Sequence, residues 1–139
     1  MGGPMSDHEV VTAPELAPPV GYAHAVVAAP GRIVHLGGQT ALAADGKITG
    51  ETLAEQFDVA AGNVAAALRA AGCTAEDMVS LQIFVTDVDE YRGALEQLAP
   101  LWRKHFGRRY PAAGLFGVVR LFDVEAKIEL MAVAVRPER

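Results

Sequence analysis

Thr52-Leu53-Ala54-Glu55 has the spacing of a helix-capping box, and Leu53, Phe57, Ala60, Val64, Ala67, Leu68 and Ala71 then recur on one helical face until Gly72. Shortly afterwards the period changes. Val79, Leu81, Ile83 and Val85 alternate with Ser80, Gln82, Phe84 and Thr86, the pattern of a strand with one apolar face. A helix fed straight into a strand is the middle of a β-α-β unit, whose right-handed crossover leaves the strands on either side parallel.

Around this unit the other elements fall into order. Tyr22–Ala28 and Arg32–Leu36 are rich in Val, Ile and Ala, and Pro30-Gly31 between them is turn chemistry, so the pair reads as a β-hairpin. Tyr91, Leu95, Leu98, Trp102 and Phe106 form a second helical stripe, opened by Asp87 or Asp89 and closed by Gly107, with a kink or break expected at Pro100. Two closing strands come next, within Arg109–Leu121 and Ala126–Ala134. The predicted order is β-β-α-β-α-β-β: an α+β fold with a mixed sheet and both helices on one face. Its other, partly apolar face needs cover, which argues for an oligomer.

A chain of 139 residues, 51% hydrophobic and 21% charged, fits one domain. Residues 1–19, punctuated by Pro4, Pro14, Pro18 and Pro19, read as a flexible arm, and residues 20–139 as the domain. A net charge of −5 with scattered basic residues argues against nucleic acid. No signal-like segment or apolar run long enough to span a bilayer is present, so no membrane partner is expected. With Cys73 as the single cysteine, an internal disulfide is excluded and a cytoplasmic setting is expected.

Glu129 is the sharpest chemical candidate. Alternation places it with Met131, Val133 and Val135 on one strand face, opposite Ile128, Leu130, Ala132 and Ala134. A carboxylate on an apolar stripe either positions or deprotonates a water, or pairs with Lys127 nearby. In the expected hairpin His24 and His35 would be diagonal neighbours, but no further ligand completes a metal site and none is assigned. Cys73, just after the helix stop, reads as an inert loop cysteine. Gly37-Gly38-Gln39 fits no phosphate-binding fingerprint and suggests close backbone approach.

Arg109-Tyr110-Pro111-Ala112-Ala113-Gly114-Leu115 and Ala126-Lys127-Ile128-Glu129-Leu130 together resemble the closing strands of the RidA/YjgF family. Gly21-Tyr22-Ala23-His24-Ala25, Gly37-Gly38-Gln39, Ala70–Val79 and Phe84–Tyr91 resemble further family segments in the same order, so the likeness spans roughly Gly21 to Arg136. It implies a chorismate-mutase-like subunit in a homotrimer, with a small-molecule pocket at each subunit interface and no cofactor. It also implies hydrolysis of imines and enamines derived from amino acids, with an arginine gripping the carboxylate, a glutamate orienting water, a tyrosine closing the site and backbone amides holding the ligand.

Carried onto this sequence, these roles fall to Glu129 as the catalytic group and to Tyr22, the Gly38 amide and the Leu115 amide as substrate-binding groups. The arginine position holds Ala113, which offers none of the paired, charge-assisted hydrogen bonds of a guanidinium. Arg120 already matches another family arginine, leaving Arg108 and Arg109 as the nearby cations. Gly114, Leu115 and Asp89 stand where the family pattern has serine, cysteine and asparagine. The expected activity is that of a hydrolase or deaminase for a small C–N substrate without a simple carboxylate handle. The alternatives are a non-catalytic metabolite-binding or sensing trimer, and an endoribonuclease or translation inhibitor, which the acidic balance disfavours.

Overall fold

The computed structural model describes residues 8–138. The capping box at Thr52 opens α1 (Leu53–Ala70): the Glu55 N–H donates to Thr52 Oγ1 at 3.1 Å while Glu55 Oε1 accepts from the Thr52 N–H at 3.2 Å. At its other end Gly72, at φ +78°, lets Cys73 N–H reach Leu68 O at 2.8 Å and Gly72 N–H reach Arg69 O at 3.0 Å, a Schellman stop. The chain then enters β4 (Met78–Val85) through a short 3₁₀ turn over Ala75–Asp77.

Four strands form the main sheet in the order β3-β6-β4-β5, where β3 is Gly31–His35, β5 is Ala112–Gly117 and β6 is Ile128–Pro137. β4 runs parallel to β5 and antiparallel to β6, and β6 is antiparallel to β3. β3 and β4, joined by α1, are therefore parallel with β6 between them. Leu81, Ile83 and Val85 of β4 and Ile128, Leu130, Ala132 and Ala134 of β6 are buried in one core with Phe57 and Val64 of α1 and Leu98, Trp102 and Phe106 of the second helical region. The mixed α+β sheet with its helices on one face is as the patterning indicates.

Three local expectations are corrected. The predicted hairpin does not form: β2 (Ala25–Val27) pairs with β1 (Glu9–Val11) in a separate two-stranded sheet, while β3 pairs with β6. The reason is distance. Ala23 bridges to Ala112 beside β5, at the opposite edge of the main sheet from β3. Four strand spacings, roughly 19 Å, must be crossed by eight residues that extend to about 26 Å, which leaves only about 7 Å of slack, too little for a fold-back.

The second correction concerns the arm. Its first seven residues lie outside the described residues, but Glu9–Val11 are the strand β1, and His24 ties down the stretch beyond it, accepting from Ala13 N–H at Nδ1 (3.0 Å) and lying 2.9 Å from Ala17 O at Nε2. Third, the second helical stripe breaks at Ala94 rather than at Pro100, giving α2 (Val88–Gly93) and α3 (Leu95–Phe106). Pro100 is exposed, as is Glu96, whose carbonyl loses its helical donor, so that carbonyl is not forced into the core and the helix accommodates the proline.

Candidate functional site

Glu129 lies on the sheet face away from the helices, half-buried, directly opposite Phe84 of β4, which is in turn opposite Phe116 of β5. The two phenylalanine rings stack at 5.6 Å and 27°. Lys127 does not pair with Glu129: its Nζ is 3.0 Å from Glu90 Oε1. Among the described residues no side chain forms an ion pair or hydrogen bond with the Glu129 carboxylate.

Gly38 is the residue that touches it. A Cβ on Gly38 would overlap Glu129 Oε2 and lie 2.9 Å from its Cδ, so only glycine lets the carboxylate rest against this turn. The turn is pinned on both sides. Gln39 and Leu130 exchange two backbone hydrogen bonds of 2.8 Å, and Leu36 N–H donates to Ala132 O at 3.1 Å. The Gly38 N–H has no partner among the described residues, leaving a free donor beside a free carboxylate.

Two amide side chains of α1 hold this arrangement. Asn63 Nδ2 donates to Thr40 O at 3.0 Å and Leu42 O at 2.9 Å, fixing the chain just beyond Gly38. Gln56 is buried; its Nε2 donates to Glu125 O at 2.9 Å and Gly50 O at 3.1 Å, and its Oε1 accepts from Lys127 N–H at 2.8 Å, fixing the approach to Glu129. Sequence reasoning missed both. A signal existed for Gln56, which interrupts the apolar stripe Leu53, Phe57, Ala60 with a polar group one turn from either end.

Tyr22 and Ala113 meet elsewhere. They line an open recess of about 410 Å³ with Leu16, Ala17, His24 and Ala112. No lysine or arginine borders it among the described residues, and both ring nitrogens of His24 are occupied by the arm. Arg109 instead lines a small pocket with His8 and Glu76, and Arg108 is exposed. Leu115, like Ala113, packs toward the helices, whereas Phe116 takes the open face. Ala113 is opposite Leu81, Leu81 is opposite Ala132, and Ala132 is three residues from Glu129. The two groups of residues are thus separated by roughly 10 Å across the sheet and about another 10 Å along it.

A sequence model described as Endoribonuclease L-PSP matches residues 12–136. Protein mmf2, mitochondrial, of Schizosaccharomyces pombe is 30% identical over 104 residues, 75% of this chain and 80% of that protein. The crystal structure of YyfB of Yersinia pestis, described as a protein of unknown function of the conserved Rid family, superposes with a TM-score of 0.83 at 30% identity, covering 93% of this chain and 98% of its own. This chain is a member of the Rid family. The structure of Escherichia coli TdcF with bound serine matches at TM-score 0.67 and 26% identity, over 88% of this chain and 91% of that one.

Within this Rid-family chain the remaining sequence candidates are dispersed. Asp89 is exposed in the first turn of α2. Arg120 curls onto its own loop, donating to Leu121 O and Phe122 O at 3.1 Å each. Cys73, in the loop just after the α1 stop, is buried. His24 and His35 are not partners, because the hairpin that would have aligned them is absent; His35 faces Val133 of β6. No helix among the described residues is long and apolar enough to cross a membrane.

Proposed function

We propose that this Rid-family chain is a hydrolase for small imines or enamines, working in a pocket completed between copies of the chain in a homotrimer. The observation that carries the reading is the unpaired Glu129 carboxylate held against the free Gly38 amide. A carboxylate that is half-buried, positioned from two sides and without a cation is suited to accept a proton from an attacking water. Water oxygen bonds to the imine carbon as the C=N π pair moves to nitrogen, and the water proton passes to Glu129 and from it to that nitrogen. Collapse of the resulting carbinolamine forms the carbonyl and releases the nitrogen as ammonia or an amine.

The separation of the two residue groups supports a composite site. Gly38 and Glu129 lie near one side of the sheet and Tyr22, Ala113 and the Leu115 amide near the other, so a head-to-tail ring can bring one copy's glutamate to its neighbour's tyrosine. The open sheet face and its apolar groups, with Ile33 65% exposed and Phe116 45%, give such an interface its contact area. TdcF holds serine, an amino acid, according to its structure's description. Among the described residues no lysine or arginine borders the recess beside Tyr22, which supports a substrate without a carboxylate. A net charge of −5 disfavours an RNA substrate.

The test is ammonia release from a neutral imine generated in situ, followed with a coupled assay. Glu129→Gln is expected to lower kcat roughly 100-fold or more, the usual worth of a positioned general base. Undiminished turnover in that variant, or saturable binding without any turnover by the unaltered protein, contradicts the hydrolase reading.

A further inference from the structure

At the far end of β6 from Glu129, about 23 Å along the strand, two arginines meet without an acid joining them. Arg32 of β3 and Arg136 of β6 are directly opposite in the antiparallel register, so their side chains rise from the same sheet face with Cβ atoms about 5 Å apart. With Pro137 and Glu138 they line an open recess of about 390 Å³. Tyr22 and Ala113 lie at the other edge of the sheet. We infer that this recess is a binding site for a phosphate group, carried by a small organic monoester or present as the free ion.

Like charges set directly opposite each other destabilise a sheet unless something of the other sign joins them. Among the described residues no carboxylate, that of Glu138 included, forms an ion pair with either guanidinium, and Arg32 makes no hydrogen bond. Arg136 is held in place before any ligand arrives. Its Nη1 donates to Ala71 O at 3.3 Å at the end of α1, and its stem passes over Gly72, where a Cβ would come within 3.2 Å of Cδ. Gly31 brings the two strands close at this point, since a Cβ on it would overlap Arg136 O. A guanidinium carries five N–H donors; Arg136 has used one and Arg32 none. Two such forks on neighbouring strands suit an oxyanion with three terminal oxygens, which accepts paired, charge-assisted bonds from each. Two guanidinia against the one Glu138 carboxylate keep the recess cationic in a chain whose net charge is −5.

The test is a calorimetric titration of the whole chain with inorganic phosphate and with methyl phosphate, at an ionic strength held constant with sodium chloride. Saturable binding is expected; tighter binding of methyl phosphate identifies an ester as the source, and tighter binding of inorganic phosphate identifies the free ion. Arg32→Gln, at an exposed position with no hydrogen bond to lose, should weaken binding at least roughly tenfold, the worth of a charge-assisted pair. Arg136→Gln should do the same where it folds, and Glu138→Gln should strengthen binding severalfold. Glu129→Gln should leave the titration unchanged, so this site stands or falls separately from the proposed hydrolysis. No saturation with either probe, a response to chloride equal to that for phosphate, an unaltered affinity in Arg32→Gln, or an RNA oligonucleotide that binds through Arg32 while neither probe binds overturns the inference.

Discussion

Glu129 and Ala113 pull the function in different directions. Glu129 keeps the position, the exposure and the glycine contact that water activation calls for, while Ala113 withholds the guanidinium that a carboxylate ligand would need. If the Tyr22 recess is otherwise intact, Ala113→Arg should raise kcat/KM for an imine bearing a carboxylate by roughly tenfold or more relative to its neutral counterpart. An unchanged ratio in a folded variant would show that the recess does not receive that end of the substrate. The placement of Glu129 on the open sheet face was legible in the sequence because strand alternation alone sets it apart from its apolar neighbours. Its freedom from Lys127 was not, since Lys127 pairs with Glu90, 37 residues away.

Among the elements, α1 does the most to hold the site, through Gln56 and Asn63. Gln56→Leu would strip a side-chain partner from two part-buried carbonyls and one amide, a loss of about 1–3 kcal/mol by the usual penalty for unsatisfied groups, readable in a denaturant melt. A cost below about 0.5 kcal/mol would mean that the loop before Glu129 is held by other contacts. α1 is also clamped to α3, where Asp58 Oδ1 lies 2.6 Å from His105 Nε2 and 3.0 Å from Lys104 Nζ. The hydrogen bond from His105, aided by Lys104, holds the Asp58 carboxyl below its usual value. A group whose folded value is depressed stabilises the protein above its unfolded value, near pH 4, and that contribution is lost as the pH falls through the folded value. Asp58→Asn should therefore lose a little stability at neutral pH, within about 1 kcal/mol for so exposed a pair, and show less of a decline below pH 4. Identical acid profiles for the two proteins would remove the clamp. The helix periods and stops were readable because they are local. The β2–β3 hairpin was misjudged because its turn chemistry is local while its partners, β1 and β6, are far away in sequence.

At the scale of the whole molecule, the proposed site is divided between two sides of one chain's sheet, Glu129 and Gly38 on one and Tyr22 and Ala113 on the other. Patterning alone raised the expectation that the open sheet face meets a partner; which residues that face presents depends on strand order, which no local signal reports. The composite site has a direct test in subunit mixing. Glu129→Gln disables one half, and Ala113→Trp fills the other. Each variant alone should be inactive on the neutral imine, and dissociating and reassociating an equal mixture should restore about a quarter of the unaltered activity, the share of interfaces in a head-to-tail ring that receive both intact halves. Mixed oligomers that form yet recover no turnover would contradict a site shared between copies.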